Sequence, residues 1–260
     1  MAQDKALYSL KGQKVVIVGG TSGMGLGAAR AAVEAGAEVV VAGRRPEGAA
    51  SSGGGEGKSK SKSDRAPDRF EHAPVDITDE PSIRRLFERV GELDHLLVSA
   101  TPTAKDGPFL EQDLRAAQAI MNGKFFGSWA CARHAAPRMR AGGSITFVTG
   151  GAAIRPRSGL ATVTATFAAL ETLSQALALE LGPLRVNTLR PGVIDSDMWS
   201  FLDDAGREKL RQKVRETFPV RRIGTIEDIG HAAVFLMTNP YVTGAVLEIS
   251  GGETLVKLDI

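Results

Sequence analysis

The chain has 260 residues, 43% of them apolar and 24% charged, as in a water-soluble α/β domain with a sizeable core. Its 32 basic side chains face 30 acidic ones, a formal charge of +2, which gives no electrostatic case for nucleic acid or an anionic membrane as partner. The lone cysteine, Cys131, excludes an intrachain disulfide, and its small or apolar neighbours Trp129, Ala130 and Ala132 mark it as a packed core thiol. No apolar leader opens the chain and no apolar run has membrane-spanning length, so a reducing, cytoplasmic setting is expected.

Residues 15–18 form a β-branched run that ends in a glycine-rich turn. Helical spacing follows over 26–35, with Gly36 as its stop signal. Residues 38–42 read as a second strand, apolar on consecutive positions, as suits a parallel strand buried on both faces. Further strands are predicted at 71–75, 95–98, 144–148, 185–189 and 246–249, with helical patterns at 80–90, 110–140, 160–181 and 226–238. This alternation predicts a single Rossmann-type domain over 1–260, a doubly wound parallel sheet of about seven strands with helices on both faces. Residues 48–68 break the rhythm. They are dense in Gly, Ser and Lys and almost devoid of apolar side chains, so a flexible surface loop is expected in place of a crossover helix.

The strongest motif lies between the first strand and the first helix: Gly19, Gly20, Thr21, Ser22, Gly23, Met24, Gly25. Such a turn needs glycine for positive φ and for close approach of backbone to a pyrophosphate, and the helix N-terminus offers free N–H groups to the phosphates. The spacing of Gly19, Gly23 and Gly25 resembles that of the short-chain dehydrogenase/reductase family. Other segments carry the resemblance across nearly the whole chain: Asp76 before Ile77, Asn122 ahead of Gly123 and Lys124, the helix of 168–181, Arg185-Val186-Asn187 leading to Pro191-Gly192, and Thr243-Gly244 before Ser250-Gly251-Gly252. The resemblance implies a dinucleotide held by Gly19, Thr21, Ser22, Gly23, Met24, Gly25, Asp76, Ile77, Ser99, Ala100, Thr101, Pro191, Gly192, Ile194 and Ser196. It also implies a small-molecule substrate covered by residues 196–222, and a homodimer or homotetramer built on the long helix of 160–181 and the last strand.

Cofactor choice is read at the end of the second strand. NAD-preferring members carry a carboxylate there for the ribose 2′-OH, whereas this chain has Gly43 followed by Arg44 and Arg45. A guanidinium clamps a 2′-phosphate and no carboxylate repels it, so NADP(H) is the expected cofactor.

The catalytic positions depart from the family. Its Ser, Tyr and Lys fall on Gly150, Val163 and Phe167, none of which transfers a proton, and the only tyrosines are Tyr8 and Tyr241. Asn122 remains as the family's helix asparagine and is the one catalytic candidate that the resemblance leaves, although without its partners it keeps chiefly a structural role. Thr149, Thr162, Thr164 and Thr166 flank the altered positions and either orient a substrate or are ordinary strand-end and helix-face hydroxyls. Arg155 and Arg157 either bind an anionic substrate or are solvated loop charges; Trp199, Phe201 and Leu202 form either an apolar lid or the core side of a short helix. His134 reads as structural, and no His, Cys, Asp or Glu cluster has metal-ligand spacing. Two functions fit these residues: an NADPH-dependent reductase of an activated, imine- or iminium-like or bulky apolar molecule, and a non-redox dinucleotide-binding protein, such as a pseudoenzyme or cofactor-templated cyclase.

Overall fold

The computed structural model describes residues 8–44, 70–101, 106–196 and 202–256. The expected loop at 48–68 lies outside these residues, as do Arg45, Trp199 and Phe201. Seven parallel strands form one sheet in the order β3-β2-β1-β4-β5-β6-β7. They are β1 (Lys14–Val18), β2 (Glu38–Gly43), β3 (Glu71–Pro74), β4 (Leu93–Val98), β5 (Met139–Val148), β6 (Arg185–Pro191) and β7 (Val246–Ile249). The helices are α1 (Gly23–Glu34), α2 (Glu80–Val90), α3 (Leu114–Met121), α4 (Gly127–Ala135), α5 (Ala161–Glu180), α6 (Asp204–Thr217) and α7 (Ile226–Thr238). All seven expected strands are present, and the fold is the Rossmann-like arrangement read from the sequence.

Consecutive apolar residues in the central strands have a simple cause. Successive side chains point to opposite faces, and both faces are covered. Val15 and Ile17 join a core with Ala28, Ala29, Ile229 and Ala233 of α1 and α7, while Val16 and Val18 join Ile83, Phe87, Cys131 and Leu170 on the other face. The strand order reverses between β1 and β4, so the crevice beyond their C-terminal ends is where this topology places a ligand.

One expected element is corrected. The helical pattern at 110–140 is not one helix: a short 3₁₀ turn (Phe109–Glu111), α3, a π-helical turn (Asn122–Phe126), α4 and a second 3₁₀ turn (Ala136–Arg138) share it, and β5 already begins at Met139. Pro137 ends the helical run, because its ring removes a donor and clashes with the preceding turn. The π turn takes an extra residue into the helical run, and such turns recur at functional sites.

Candidate active site

The cleft starts at the turn from β1 to α1. Gly19 has φ 87° and Gly23 φ 52°. A Cβ on Gly19 would stand 2.4 Å from the Ala100 amide nitrogen, and one on Gly25 only 2.1 Å from the Gly19 carbonyl oxygen, so this turn closes on itself only with glycine. Gly25→Val therefore breaks the turn. Expected outcomes are a melting temperature lowered by several degrees, as for a loss of about 2–3 kcal/mol, and no dinucleotide-dependent shift in that temperature. A variant with the parent's melting behaviour and ligand response would contradict this packing.

Ser22 precedes α1 in extended conformation without a side-chain cap, and the first turn of α1 carries no acidic residue. Its N–H groups and the positive end of its dipole remain available to an anion, which is the chemistry a pyrophosphate requires. Thr21 lies over Gly43, whose added Cβ would be 3.3 Å from the Thr21 hydroxyl, and Ser196 faces Gly23 from the far wall. Exposed Arg44 follows β2 and acts electrostatically on Asp76. Two bonds from Thr78, one from its N–H and one from its hydroxyl, are the main reason the Asp76 carboxyl is held below its ordinary range, with Arg44 adding to the effect. The ends of β2 and β3 thus meet as the cofactor reading requires, with Ile77 packed beneath.

Beyond β4, the amides of Ser99 and Ala100 both donate to the Val18 carbonyl, at 2.8 and 3.1 Å, and the Thr101 hydroxyl donates to the Ser99 carbonyl. On the opposite wall Gly192 N–H donates to the Ile249 carbonyl, and Ile194 pairs with Gly224. The carboxylate of Glu253 accepts the Val193 amide at 3.0 Å and the Arg157 guanidinium at 2.5 Å. Arg155 donates to the carbonyls of Glu253 and Val256. This corrects the reading of both arginines: neither is an open anion site nor a solvated charge, because both fasten the loop after β5 to the C-terminal turn. Burial raises the Glu253 carboxyl, and Arg157 opposes that shift.

The middle of the cleft holds Gly150, Val163 and Phe167, the positions onto which the resemblance places the family's Ser, Tyr and Lys. Gly150 lies just after β5, before a 3₁₀ turn at Gly151–Ala153, and a Cβ there would lie 3.0 Å from the edge of the Phe167 ring. A serine at 150 therefore needs Phe167 to move. The Val163 amide donates to Asp106 at 2.8 Å, tying the segment after β4 to the start of α5. Thr149 gives its proton to Glu171 at 2.8 Å, and Glu171 is held in turn by two bonds from Arg190. Thr166 donates to the Thr162 carbonyl, as helix-face hydroxyls do, whereas the buried Thr164 hydroxyl has no partner among the described residues. The tyrosines do not enter: Tyr8 and Tyr241 are 53% and 98% exposed, and Tyr8 lies by the Ala141–Gly143 end of the sheet.

Asn122 is exposed at the start of the π turn, and the residue that turns into the interior is Lys124, 2% exposed. Two residues along a helical backbone rotate a side chain to roughly the opposite face, so only one of the pair can point inward. The Lys124 ammonium donates to the Ala100 carbonyl at 3.1 Å and stands 5.9 Å from the centre of the Phe167 ring. Burial lowers its pKa to about 7. The sequence held a signal for this: Ile120, Lys124, Ser128 and Cys131 share helical spacing, and all four are buried.

The remaining candidates resolve as structure. His134 of α4 pairs with Glu80 of α2 at 3.1 Å, and burial pushes the Cys131 thiol up to about 12. Leu202 packs on Val193, Leu210, Val214 and Phe218, the core side of its two readings. Among the described residues no group of His, Cys, Asp and Glu is placed to hold a metal ion, and no helix is long and apolar enough to cross a membrane.

Comparison with known proteins agrees with this fold. Residues 18–254 match the family model described as enoyl-(acyl carrier protein) reductase. The chain belongs to the short-chain dehydrogenase/reductase family. It is 28% identical to the short-chain dehydrogenase/reductase fsr5 of Gibberella fujikuroi, over 96% of this chain and 98% of the relative. A solved small-chain dehydrogenase in complex with NADPH is 28% identical and superposes with a TM-score of 0.77, over 94% of this chain and 99% of that one. The MalC Reductase/Diels-Alderase from Malbranchea aurantiaca is 26% identical with a TM-score of 0.81, over 95% and 98% of the two chains.

Proposed function

We propose that this chain is an NADPH-dependent reductase with a non-standard active site, acting on a bulky apolar small molecule that bears an activated C=N bond. The observation that carries the reading is the cleft beyond β1, where an uncapped helix N-terminus meets a β2 end that offers Gly43 and Arg44 and no carboxylate. The relative solved with NADPH supports it. Gly19, Thr21, Ser22, Gly23, Met24 and Gly25 would hold the pyrophosphate, and Arg44 with Arg45 the 2′-phosphate. Asp76 and Ile77 would border the adenine. Ser99, Ala100, Thr101, Pro191, Gly192, Ile194 and Ser196 would line the nicotinamide half. When bound, the cofactor supplies a hydride.

The chain's own residues then orient the acceptor. Phe167 and Val163 give the centre of the cleft an apolar wall, and Phe109, Leu110 and Ile154, on the segments after β4 and β5, are exposed. Those segments approach each other where Gly159 meets Gly107. Exposed apolar groups of this kind at a cleft fit an apolar ligand better than a sugar or a small polar acid.

Thermal unfolding with NADPH, NADP⁺, NADH and NAD⁺ tests the cofactor half. Ligand at about 100 times its Kd stabilises by roughly 2.7 kcal/mol, and the phosphorylated pair should do so at lower concentration. Arg44→Asp is expected to weaken NADPH about tenfold or more and to reduce or reverse the preference, from loss of one charge-assisted contact and gain of a repulsive one. Equal affinity of the parent for NADPH and NADH would contradict the assignment.

A second reading follows from likeness to the protein described as a reductase/Diels-Alderase: a cleft of this kind that templates a cyclisation around a bound cofactor without hydride transfer. We further propose a single-domain subunit, a cytoplasmic setting and a homodimer or homotetramer. The exposed apolar side chains Phe126 and Trp129 of the π turn and α4, and Leu179 of α5, are candidates for burial in such an interface. Trp129→Glu should shift the parent's oligomer to a smaller species in light scattering; a monomeric parent would contradict the interface.

A further inference from the structure

We propose that Lys124 is the proton source of this active site, an ammonium delivered from the π turn between α3 and α4 to a substrate in the cleft. The inference rests on the reductase reading and adds to it the group that the positions 150, 163 and 167 do not supply. Geometry places the ammonium between the two halves of the cleft. One side is Ala100, whose backbone packs against Gly19 of the cofactor turn; the other is the Phe167 ring, whose edge lies over Gly150. Phe167 is only partly buried, and its ring must turn aside for the ammonium to meet a bound substrate.

A lysine held only for packing would be a poor choice here. Its one hydrogen bond among the described residues goes to a neutral carbonyl, and no carboxylate offsets its charge. The charged groups on the elements packed against the π turn are otherwise placed. Glu171 of α5 is bound by Arg190 and Thr149, and Asp106 takes the Val163 amide. Arg133 of α4 lies over Trp129, and Arg115 of α3 is exposed. Burial is the sole cause of the lowered pKa, near 7, so both protonation states are populated at neutral pH, as a general acid requires.

An Nζ–H bond of the ammonium breaks and an N–H bond forms on the imine nitrogen. The hydride pair of the reduced nicotinamide forms the new C–H bond, and the former C=N π pair remains on nitrogen. Lys124, left as a neutral amine, regains its proton from water. A permanently charged, N-alkylated iminium ion needs no such proton and would be repelled by the charged lysine.

The test joins titration with turnover. Lysine side-chain NMR of the parent, assigned by the resonance missing from Lys124→Met, should show one Cε signal titrating near pH 7 that moves on addition of NADP⁺. Turnover of a neutral cyclic imine should fall in Lys124→Met by about 100-fold or more, while a quaternary iminium ion changes only a few-fold. In the parent, imine turnover relative to the quaternary ion should decline above pH 7, a measurement that needs no variant. A Lys124 signal that titrates above pH 10, or a variant that keeps imine turnover and its pH profile, would overturn the proposal. If the parent oxidises NADPH with neither substrate, the reductase reading fails and the proton-source proposal with it.

Discussion

Lys124→Met is expected to make the protein more stable while removing its turnover of neutral imines. Burial drives the lysine from 10.5 to about 7, so at pH 7 the fold carries a penalty of order 4 kcal/mol relative to an unfolded chain in which the amine is freely charged. Methionine has nearly the same length and no charge. It loses the bond to the Ala100 carbonyl and the contact with Phe167, together about 2 kcal/mol, so a net gain of about 2 kcal/mol remains. For a chain of this size that is a rise of roughly 5 °C in melting temperature. The sign with pH is fixed: between about 7 and 10.5 the unfolded lysine binds a proton that the folded one does not, so parent stability climbs through that window. The variant's advantage is therefore full below pH 7 and fades towards pH 10.5. Urea unfolding of both proteins at pH 6.5 and 10 checks it, and a Met variant less stable than the parent at pH 6.5 would contradict the account of a strained functional lysine.

His95 gives the second large effect, at the other end of the sheet. It is 2% exposed, with Nδ1 at 2.8 Å from the Ser144 hydroxyl and Nε2 at 2.9 Å from the Gln13 side-chain oxygen. Burial, helped by the nearby Arg185 charge and opposed by Asp94, lowers its pKa to about 4. The folded state therefore keeps the imidazole neutral, and stability contributed above pH 6.5 is lost as pH falls towards 4. About 2 kcal/mol should be gone at pH 5, and about 3 kcal/mol in all. His95→Gln cannot titrate, so the parent should lose about 2 kcal/mol more than the variant between pH 7 and pH 5. Asp228, held near 2 by Arg222, responds at lower pH and does not blur the comparison. Parallel curves for parent and variant would show that His95 is not the acid-sensitive group.

Much of this architecture is legible in the sequence because its causes are local. Apolar runs such as Val39 to Val41 mark strands buried on both faces, and Gly19, Gly23 and Gly25 mark a turn that no other residue closes. The centre of the site is less legible. Lys124 shares helical spacing with Ile120, Ser128 and Cys131, but a charged residue on a buried stripe reads as an exception until the fold shows it 2% exposed. Arg155 and Arg157 meet Glu253 and Val256 from about a hundred positions away, a pairing that neither local spacing nor composition encodes.

Transfer of deuterium from NADPH labelled at the nicotinamide C4 tests the reductase reading most directly. The parent protein is incubated with a neutral cyclic imine, a quaternary iminium ion and an unactivated aliphatic ketone, and the products are read by mass spectrometry. Deuterium should appear in both nitrogen products, with the imine product lost on Lys124→Met, and the ketone should react least. A cofactor that binds tightly yet leaves no deuterium in any product, or in the natural product once it is known, would contradict the reductase account and favour a templating role for the same cleft.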